Sequence, residues 1–370
     1  MGYDPYDALN ARFNFGNLGK WGPILAIQVQ KRNPLNIRPL LGIERDFNPK
    51  AIGIFLHAYS MLLENDPDED TRKTADYLFT WLVDHSSQGY SGYSWGYNFD
   101  WASPAKYLPA YVPSIVVTGF VARGIFKYYE ATNSLQALEI LRSACDFLLN
   151  DLPRTQTPDG ICFSYTPVMK DCCFNASMLG AELLAKLYSV TGDQHLRELS
   201  TRAVDFVLSY QKPDGRWNYS VDIESGTERI QIDFHQGYIL DSLDAFIKYT
   251  HPDDSTYKTA LVKGARFYRQ EQFCENGRSL WRLPRKWPVD IHNQAQGIIT
   301  FSNLTSIDPS YRAFAERICR WTCHNMQDEQ GYFYYRKGRL HTNKVPYMRW
   351  AQAWMMLALA HVAQFTQAAV

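Results

Sequence analysis

The sequence predicts an all-α protein, an (α/α)6 toroid of six inner and six outer helices that forms one domain over residues 1–370. Three observations predict it: apolar helical segments return every 56 to 66 residues, amphipathic segments follow most of them, and loops rich in Gly and aromatic residues come next. A regular repeat of this kind is typical of stacked or closed helical hairpins, because one hairpin cannot bury its own apolar face. Each apolar segment carries a small residue near its start: Gly53, Gly119, Gly180, Gly237, Gly297 and Ala353.

The elements follow in chain order from the apolar periodicity. Segments that are apolar on all sides are expected to be inner helices, and segments with one polar face are expected to be outer helices. Short turns rich in Asp, Pro, Asn and Gly join inner to outer helices, whereas the return loops are long, at 17 to 27 residues. The first helix is an outer one, which is expected to close the ring on the last inner helix. The twelve helices are predicted near 17–31, 48–64, 71–86, 113–131, 134–151, 174–192, 195–211, 235–250, 256–271, 291–304, 310–326 and 347–366.

Composition limits the classes of function. The 38 basic and 38 acidic residues give a net charge of zero, which provides no global signal for nucleic acid. No stretch has the length of a transmembrane helix and the start lacks the pattern of a signal peptide, so we expect a cytoplasmic protein without membrane insertion. The seven cysteines show no zinc spacing, and no phosphate loop or dinucleotide fingerprint occurs, so we expect no metal and no cofactor. The oligomeric state does not follow from the sequence.

The long loops are expected to gather at the N-terminal ends of the inner helices, where free backbone N–H groups favour anionic ligands. The segment 92–101 combines five aromatic rings with Asn and Asp, a combination that suits stacking on a sugar and binding of its hydroxyls. Two basic segments, 277–289 and 331–349, contain no acidic residue, and their arginines can bind carboxylates in pairs of hydrogen bonds. These features predict an acidic oligo- or polysaccharide as the partner. The residues expected to bind it are Trp95, Trp101, Asn175, Arg282, Arg285, Trp287, Asn293, Arg349 and Trp350.

Two loops match or approach the pattern Q-x3-G-x-W, at 211–217 and 327–333. They resemble the repeats of squalene cyclases and prenyltransferases, which are also α/α toroids. The D-x-D-D acid motif of those cyclases has no counterpart at the mouth. The resemblance therefore implies a way of building loops, with Gly in a left-handed turn and a ring joining two hairpins.

The organisation of the whole chain resembles carbohydrate-active (α/α)6 toroids: uronate C5-epimerases, polysaccharide lyases, unsaturated glucuronyl hydrolases and N-acylglucosamine epimerases. It is most similar to the toroid domain of glucuronyl C5-epimerases and to uncharacterised proteins of polysaccharide-biosynthesis clusters. The resemblance implies an enzyme of polysaccharide biosynthesis or modification.

We expect chemistry at a uronic acid, by an epimerase or a lyase that removes the proton at C5. A base takes that proton once a cation or an amide has neutralised the neighbouring carboxylate. His235 or His292 is expected to be the base with Tyr97 or Tyr347 as its partner, while Asn175 and Arg349 neutralise the carboxylate.

Two further functions stay open. A glycoside hydrolase would use two carboxylates near the mouth, taken from Asp100, Asp171, Asp233 and Asp290. A toroid without catalysis would bind a glycan and leave its polar residues as helix caps. The catalytic candidates are His235, His292, Tyr97, Tyr347, Asp233 and Asp100.

Overall fold

Twelve α-helices make up most of the secondary structure in residues 1–104 and 107–367, which the computed structural model describes. The predicted all-α fold class is confirmed, and none of these helices is long and apolar enough to cross a membrane. Side-chain caps begin many of them; in α2, for example, Asn48 accepts a hydrogen bond from the backbone of Ala51. The helices are α1 Trp21–Arg32, α2 Pro49–Asn65, α3 Glu69–Asp84, α4 Ile115–Thr132, α5 Leu135–Asn150, α6 Phe174–Thr191, α7 Gln194–Ser209, α8 His235–Thr250, α9 Ser255–Glu271, α10 Ile291–Asn303, α11 Ser310–Met326 and α12 Trp354–Gln367.

The even-numbered helices form a closed inner ring. Each packs against the next one in the series, and α12 returns to pack against α2. The odd-numbered helices from α3 to α11 each pack outside the inner helix that precedes them, which gives the layers that the apolar periodicity predicts. One continuous apolar core extends through both layers.

Four of the recurring small residues, Gly53, Gly119, Gly180 and Gly237, lie where neighbouring inner helices approach each other. A Cβ atom added to Gly53 would lie 2.7 Å from the Cα atom of Val121 in the next inner helix. Because that neighbour is backbone, the contact cannot be relieved by a side-chain rotation. The close spacing of α2 and α4 therefore requires a residue without a side chain at this position.

The helix α1 lies apart from the other odd-numbered helices. It packs against two short helical turns, Asp7–Asn10 and Phe15–Leu18, and Trp21, Leu25 and Val29 on its outer side are exposed. The ring is closed instead by α12 on α2 and by the segment that precedes α1. There the Asp4 carboxylate accepts hydrogen bonds of 2.6 and 2.7 Å from the Arg349 guanidinium.

Short strands, which the sequence did not predict, join the long loops at the mouth. The first four strands form two antiparallel pairs, and the other six form two antiparallel three-stranded sheets that connect the loop before one inner helix to the loop before the next. In the second of these sheets Asp290 is paired with Arg336. The strands are β1 Trp101–Ala102, β2 Tyr107–Leu108, β3 Arg154–Thr157, β4 Gly160–Phe163, β5 Cys172–Cys173, β6 Ser220–Val221, β7 Glu228–Arg229, β8 Val289–Asp290, β9 Arg336–Lys337 and β10 Thr342–Asn343.

The last inner helix begins later than the sequence predicts. Residues Met348–Ala353 form a π-helical turn, in which the backbone N–H groups of Ala351 and Gln352 both donate to the Tyr347 carbonyl, at 3.0 and 3.1 Å. The Gln352 side chain bonds both backbone groups of Phe333 and fixes this turn to the preceding loop. Wide turns of this kind are frequent at functional sites, and here the turn carries Arg349 and Trp350.

The Q-x3-G-x-W loop has the construction that its resemblance implies. Gly215 has a φ of 100°, and the Gln211 side chain donates hydrogen bonds to the Gly215 carbonyl at 3.0 Å and to the Ala260 carbonyl of α9 at 2.9 Å. The Trp217 ring is fully buried and donates to the carbonyl of Val207 in α7 at 3.0 Å. The loop therefore joins two neighbouring hairpins.

A buried charge cluster lies at the opposite end of the ring from the long loops, around a cavity of about 350 Å³. Arg123 of α4 binds the carboxylate of Glu182 in α6, and Ser242 of α8 donates to the same carboxylate at 2.9 Å. Burial raises the pKa of Glu182, but the charges of Arg123 and Lys186 outweigh it and lower that pKa to about 2. Burial also raises the pKa of Asp244 to about 7.

Candidate functional site

The long loops enclose a cavity of about 1320 Å³ at the end of the ring where the inner helices begin. The first turns of the inner helices form its floor, with Lys50 from α2, Asn175 from α6, His235 from α8 and His292 from α10. The loops and sheets form its walls, and the α1 side chains Lys31 and Arg32 lie at its rim. This is the end of the ring at which the sequence places the functional site.

His235 is held by the carboxylate that precedes it by two residues. One oxygen of Asp233 accepts from the His235 backbone at 3.3 Å and lies 2.5 Å from the ring Nδ1 atom. The other oxygen accepts from Gln231 at 3.0 Å and from Arg282 at 3.3 Å. Asp233 is buried, which raises its pKa, but His235 and Arg282 outweigh burial and hold that pKa below its usual value.

This contact leaves the Nε2 atom of His235 for chemistry. The imidazole is half-buried and lines the cavity, and Nε2 makes no hydrogen bond to any residue that the structure describes. A carboxylate on Nδ1 fixes the ring orientation and stabilises the imidazolium that forms when Nε2 accepts a proton. The pair has the arrangement of a general base and the group that orients it.

His292 has a different environment on the neighbouring helix. Its Nε2 atom lies 2.6 Å from the Tyr238 hydroxyl, and its Nδ1 atom is buried without a partner in the described part of the chain. Burial, with the charges of Lys50 and Arg349, lowers the pKa of His292 well below its usual value. The His292 imidazole is therefore uncharged at neutral pH and does not take up a proton readily.

One phenyl ring separates the two imidazoles. The Phe234 ring is stacked on His235 with centroids 4.2 Å apart and on His292 with centroids 4.1 Å apart. The backbone N–H of His292 is bound at 3.0 Å by Asp290, which caps α10. The same carboxylate accepts from Trp350 at 2.8 Å and from Arg336 at 2.6 Å, so it fixes two further lining side chains.

Arg349 lies on the cavity wall with its charge already paired. Its guanidinium binds Asp4 through two hydrogen bonds and lies 4.9 Å from the centre of the Tyr97 ring. Burial raises the pKa of Tyr97, so its hydroxyl keeps its proton at neutral pH. Tyr97 is also stacked on Phe99, with centroids 5.1 Å apart.

Asn175 offers its amide to the cavity. Its Oδ1 atom accepts a hydrogen bond from the Cys173 thiol at 3.1 Å. Its Nδ2 group makes no hydrogen bond to any residue that the structure describes, so it can donate to a ligand. Asp171, one of the four carboxylates suggested for hydrolysis, lines the cavity. Of the fifteen catalytic and substrate-binding candidates, the structure brings nine together on the lining: Tyr97, Trp101, Asn175, His235, Arg282, Arg285, His292, Arg349 and Trp350.

The remaining six do not line this cavity. Asp233 lies behind His235. Tyr347 is fully buried, and its hydroxyl accepts from Arg38 at 3.0 Å. Asp100 accepts from the Tyr107 hydroxyl and from a backbone N–H, and it lines a smaller neighbouring cavity of about 600 Å³.

The other three support loops. The buried indole of Trp95 donates to the Leu82 carbonyl at 2.8 Å. Asn293 donates to the Leu280 and Trp281 carbonyls at 2.7 Å and holds the loop that carries Arg282. Trp287 has the Arg278 guanidinium 4.5 Å from its ring centre, outside the lining.

The two basic segments receive carboxylates from other parts of the chain. Three of their arginines form salt bridges with acids outside these segments. The pairs are Arg282 with Asp233, Arg336 with Asp290, and Arg349 with Asp4. Even so, cations predominate on the lining. In the described part of the chain the charged lining residues are Lys31, Arg32, Lys50, Lys170, Arg229, Arg282, Arg285, Arg336 and Arg349 against Asp171, Asp222, Glu224 and Glu228.

Sequence reasoning missed Lys50, which lies at the floor of the cavity. It is the second residue of an otherwise apolar inner helix, and only 3% of it is exposed. A charged residue in the first turn of a helix that is buried on all sides is unusual, and that pattern could have identified it. No group of three or more His, Cys, Asp and Glu side chains in the described residues is placed to hold a metal ion.

Comparisons with known proteins place this geometry among carbohydrate-active folds. Residues 18–228 match the family model of the β-L-arabinofuranosidase GH127 catalytic domain. No match was found among curated protein sequences. The solved structures include cellobiose 2-epimerase from Bacillus thermoamylovorans B4167, with a TM-score of 0.68 and 15% identity over 86% of this chain and 90% of that one.

Two glycoside hydrolases have similar folds. The GH76 α-mannanase of Bacteroides thetaiotaomicron has a TM-score of 0.68 and 14% identity, over 88% of this chain and 89% of that one. An unsaturated glucuronyl hydrolase specific for heparin has a TM-score of 0.64 and 13% identity, over 86% of each chain. The resemblance to carbohydrate-active toroids is thus confirmed at the level of fold, while the resemblances to glucuronyl C5-epimerases and to squalene cyclases stay predictions.

Proposed function

The chain belongs to the family of the β-L-arabinofuranosidase GH127 catalytic domain, and from this premise we propose that it is a carbohydrate-active enzyme that transfers protons at a sugar carbon. The carbon concerned lies next to a carbonyl or carboxylate group, which makes its hydrogen acidic. Inversion at that carbon is an epimerase reaction, of which uronate C5 epimerisation is one example.

The single observation that supports this proposal is the pair formed by His235 and Asp233. Asp233 occupies the Nδ1 side of the ring, so a proton taken from the substrate goes to Nε2. The imidazolium that results is stabilised by the adjacent carboxylate. Return of a proton to the same face restores the substrate, whereas a proton on the opposite face inverts the carbon.

Tyr97 is the proposed donor for the opposite face. It lines the same cavity, and its raised pKa keeps a proton available on the hydroxyl. The negative charge that forms on the substrate oxygen needs donors nearby. The Asn175 amide lies on the lining and supplies one.

The carboxylates near the cavity are less suited to hydrolysis by a pair of acids. Asp233 is engaged by His235, and Asp100 is bound by Tyr107 outside the main cavity. The two acids of such a mechanism must face one bond from opposite sides at about 5–10 Å. The name of the similar cellobiose 2-epimerase, in contrast, describes an inversion at a sugar carbon.

Glycoside hydrolysis is the second candidate, because the family match itself favours it. In that reaction His235 would act on the leaving oxygen or on the attacking water. Asp171 and Glu228, which line the cavity, are the acids closest to such a role. The two candidates differ in their products, since only hydrolysis creates new reducing ends.

The test is incubation in deuterated water with a panel of neutral reducing sugars, uronates and arabinofuranosides, read by NMR. Proton transfer predicts deuterium at one carbon without cleavage, and H235Q and D233N should each lower that rate by about 10²–10⁴. The control is H195Q, which changes an exposed histidine of α7 and should keep the full rate. New reducing ends without deuterium would establish the hydrolase instead, and a full rate in H235Q would contradict the role of His235 in either reaction.

A further inference from the structure

The cavity floor holds a buried lysine amine that no carboxylate pairs with. Among the described residues, four Lys or Arg side chains are buried: Arg38, Lys50, Arg123 and Arg349. Arg38 binds Asp7, Arg123 binds Glu182, and Arg349 binds Asp4, in each case at 2.7 Å or less. Of these four described residues, only Lys50 forms no salt bridge and no hydrogen bond through its side-chain nitrogen.

Aromatic rings surround the Lys50 amine instead. Its Nζ atom lies 4.1 Å from the centre of the Phe120 ring, 5.5 Å from that of Tyr238 and 5.6 Å from that of Trp354. Ring faces attract a cation but accept no hydrogen bonds comparable to those of a carboxylate. Because a buried charge without a partner is costly, the site is incomplete in the protein alone.

A second polar atom without a partner lies in the same corner. The His292 ring packs on Trp354 with centroids 4.5 Å apart and on Tyr238 with centroids 5.8 Å apart, the two rings that also face Lys50. Its Nδ1 atom is buried and has no hydrogen-bond partner among the described residues. Lys50 and His292 both line the cavity, so a ligand that enters it can contact both.

We propose that the anionic group of a sugar substrate, a carboxylate or a phosphate, binds the Nζ atom of Lys50 beside His292 at the floor of the cavity. This inference rests on the proposed action on a sugar and names the substrate class as acidic. It also assigns the anion to Lys50, because the charge of Arg349, which the sequence suggested for this role, is held by Asp4. The cations at the rim attract the same ligand towards the floor.

Binding of the anion brings a proton with it. Burial, together with the charges of Arg349 and Arg123, lowers the pKa of Lys50 well below its usual value, and Asp4 opposes them. The other titratable groups that face Lys50 are His292 and Tyr238, which are uncharged at neutral pH. An anion on Nζ raises the pKa of Lys50, so above the lowered pKa each bound anion takes up one proton.

The experiment measures dissociation constants by calorimetry for D-glucuronate, D-glucose 6-phosphate and D-glucose. The pH is varied from about 7 to about 10, across the range below the usual pKa of Lys. For the anionic sugars, affinity should fall with pH towards about tenfold per unit, while D-glucose should show no such dependence. A preference for the first or the second probe distinguishes a carboxylate from a phosphate ligand.

Three variants separate the role of Lys50 from that of charge in general. K50M should weaken binding of the preferred anionic sugar about ten- to a hundredfold and remove the pH dependence of that binding. K50R keeps a permanent charge, so it should retain anion binding without the pH dependence. K258M removes an exposed lysine of the outer helix α9, which does not line the cavity, and should change affinity less than about threefold.

Thermal melting of K50M checks the fold. Since a buried amine without a hydrogen-bond partner is replaced by an apolar side chain among aromatic rings, the variant should melt at or above the wild-type temperature. The inference is overturned if K50M binds both anionic sugars as well as the wild type, or if the wild type binds neither of them. Deuterium exchange on neutral sugars through His235 would then still support the proposed reaction. Anion binding at Lys50 without any exchange would instead leave the inference standing and remove the proposed reaction.

Discussion

Removal of the Asp4 carboxylate should open the ring where its two ends meet. The D4A variant deletes both hydrogen bonds to Arg349, at 2.6 and 2.7 Å, in a pair whose side chains are only 7% and 4% exposed. A hydrogen bond to a charged group contributes about 1.5–3 kcal/mol, and loss of one partner of a buried pair costs about 3–5 kcal/mol. We therefore expect the free energy of unfolding to fall by about 3–5 kcal/mol.

Most of this loss should come from the guanidinium that remains. In D4A the buried Arg349 guanidinium lies near Lys50 and has no acid beside it. Replacing both partners in D4A/R349M removes that charge, so the double variant should lie within about 1–2 kcal/mol of the wild type. The sum of the single effects should exceed the effect of the double change.

Urea unfolding followed by circular dichroism measures these differences, and hydrogen exchange locates them. Exchange in D4A should rise first near residue 4 and in the π-helical turn around Arg349. The matched control is E69A, which breaks a salt bridge to Lys73 whose side chains are 76% and 66% exposed and should cost less than about 0.5 kcal/mol. A loss below about 1 kcal/mol in D4A, or a double variant less stable than D4A, would refute the reasoning.

Three further variants test the ring away from this contact. The pKa of Glu182 is about 2 in the folded protein against 4.5 ordinarily, so its stabilising effect should be complete above pH 4.5 and lost as the pH falls towards 2. In a melting series against pH, E182Q should lose about 3 kcal/mol at neutral pH and little at the acid end, and equal losses at both would contradict this. The pKa of Asp244 is raised from 3.8 to about 7, so the folded protein loses stability as the pH rises through that interval, and D244N should melt higher than the wild type at pH 8 but not at pH 4. G53A places a Cβ atom 2.7 Å from the Val121 backbone, and it should cost about 1–3 kcal/mol in urea unfolding, whereas an unchanged midpoint would show that α2 and α4 can separate.

The fold was predictable because its signals are local and repeated. Every repeat has an apolar inner helix, such as α6, and a small residue near its start, such as Gly53. Packing of the inner helices depends on both features. The same regularity places His235 and His292 in the first turns of adjacent inner helices. That both lie at the same end of the ring thus follows from the repeat.

The partners of those residues were less predictable. Asp233 lies two residues before His235, yet sequence alone does not show whether it faces the cavity or supports the ring. The pairing of Arg349 with Asp4 joins positions 345 residues apart, and no local pattern marks it. The two-residue strands were missed because their pairing depends on contacts between loops rather than on propensity.

The isolation of Lys50 is a property of its surroundings. The sequence shows a lysine before an apolar run, but not that Asp4, the carboxylate that raises its pKa, is already bound by Arg349. Pairing of this kind is decided by all the neighbours together, so it becomes visible only after the fold is known.

The contact between Asp4 and Arg349 also has a consequence for the order of events during synthesis. The first hairpins can pack on one another while later ones are still being translated, since each buries its apolar face mainly on its neighbours. The cavity, however, takes Lys50 from the first inner helix and Arg349 from the turn before the last one. The nascent chain therefore carries an open, incomplete cavity until residue 349 has left the ribosome.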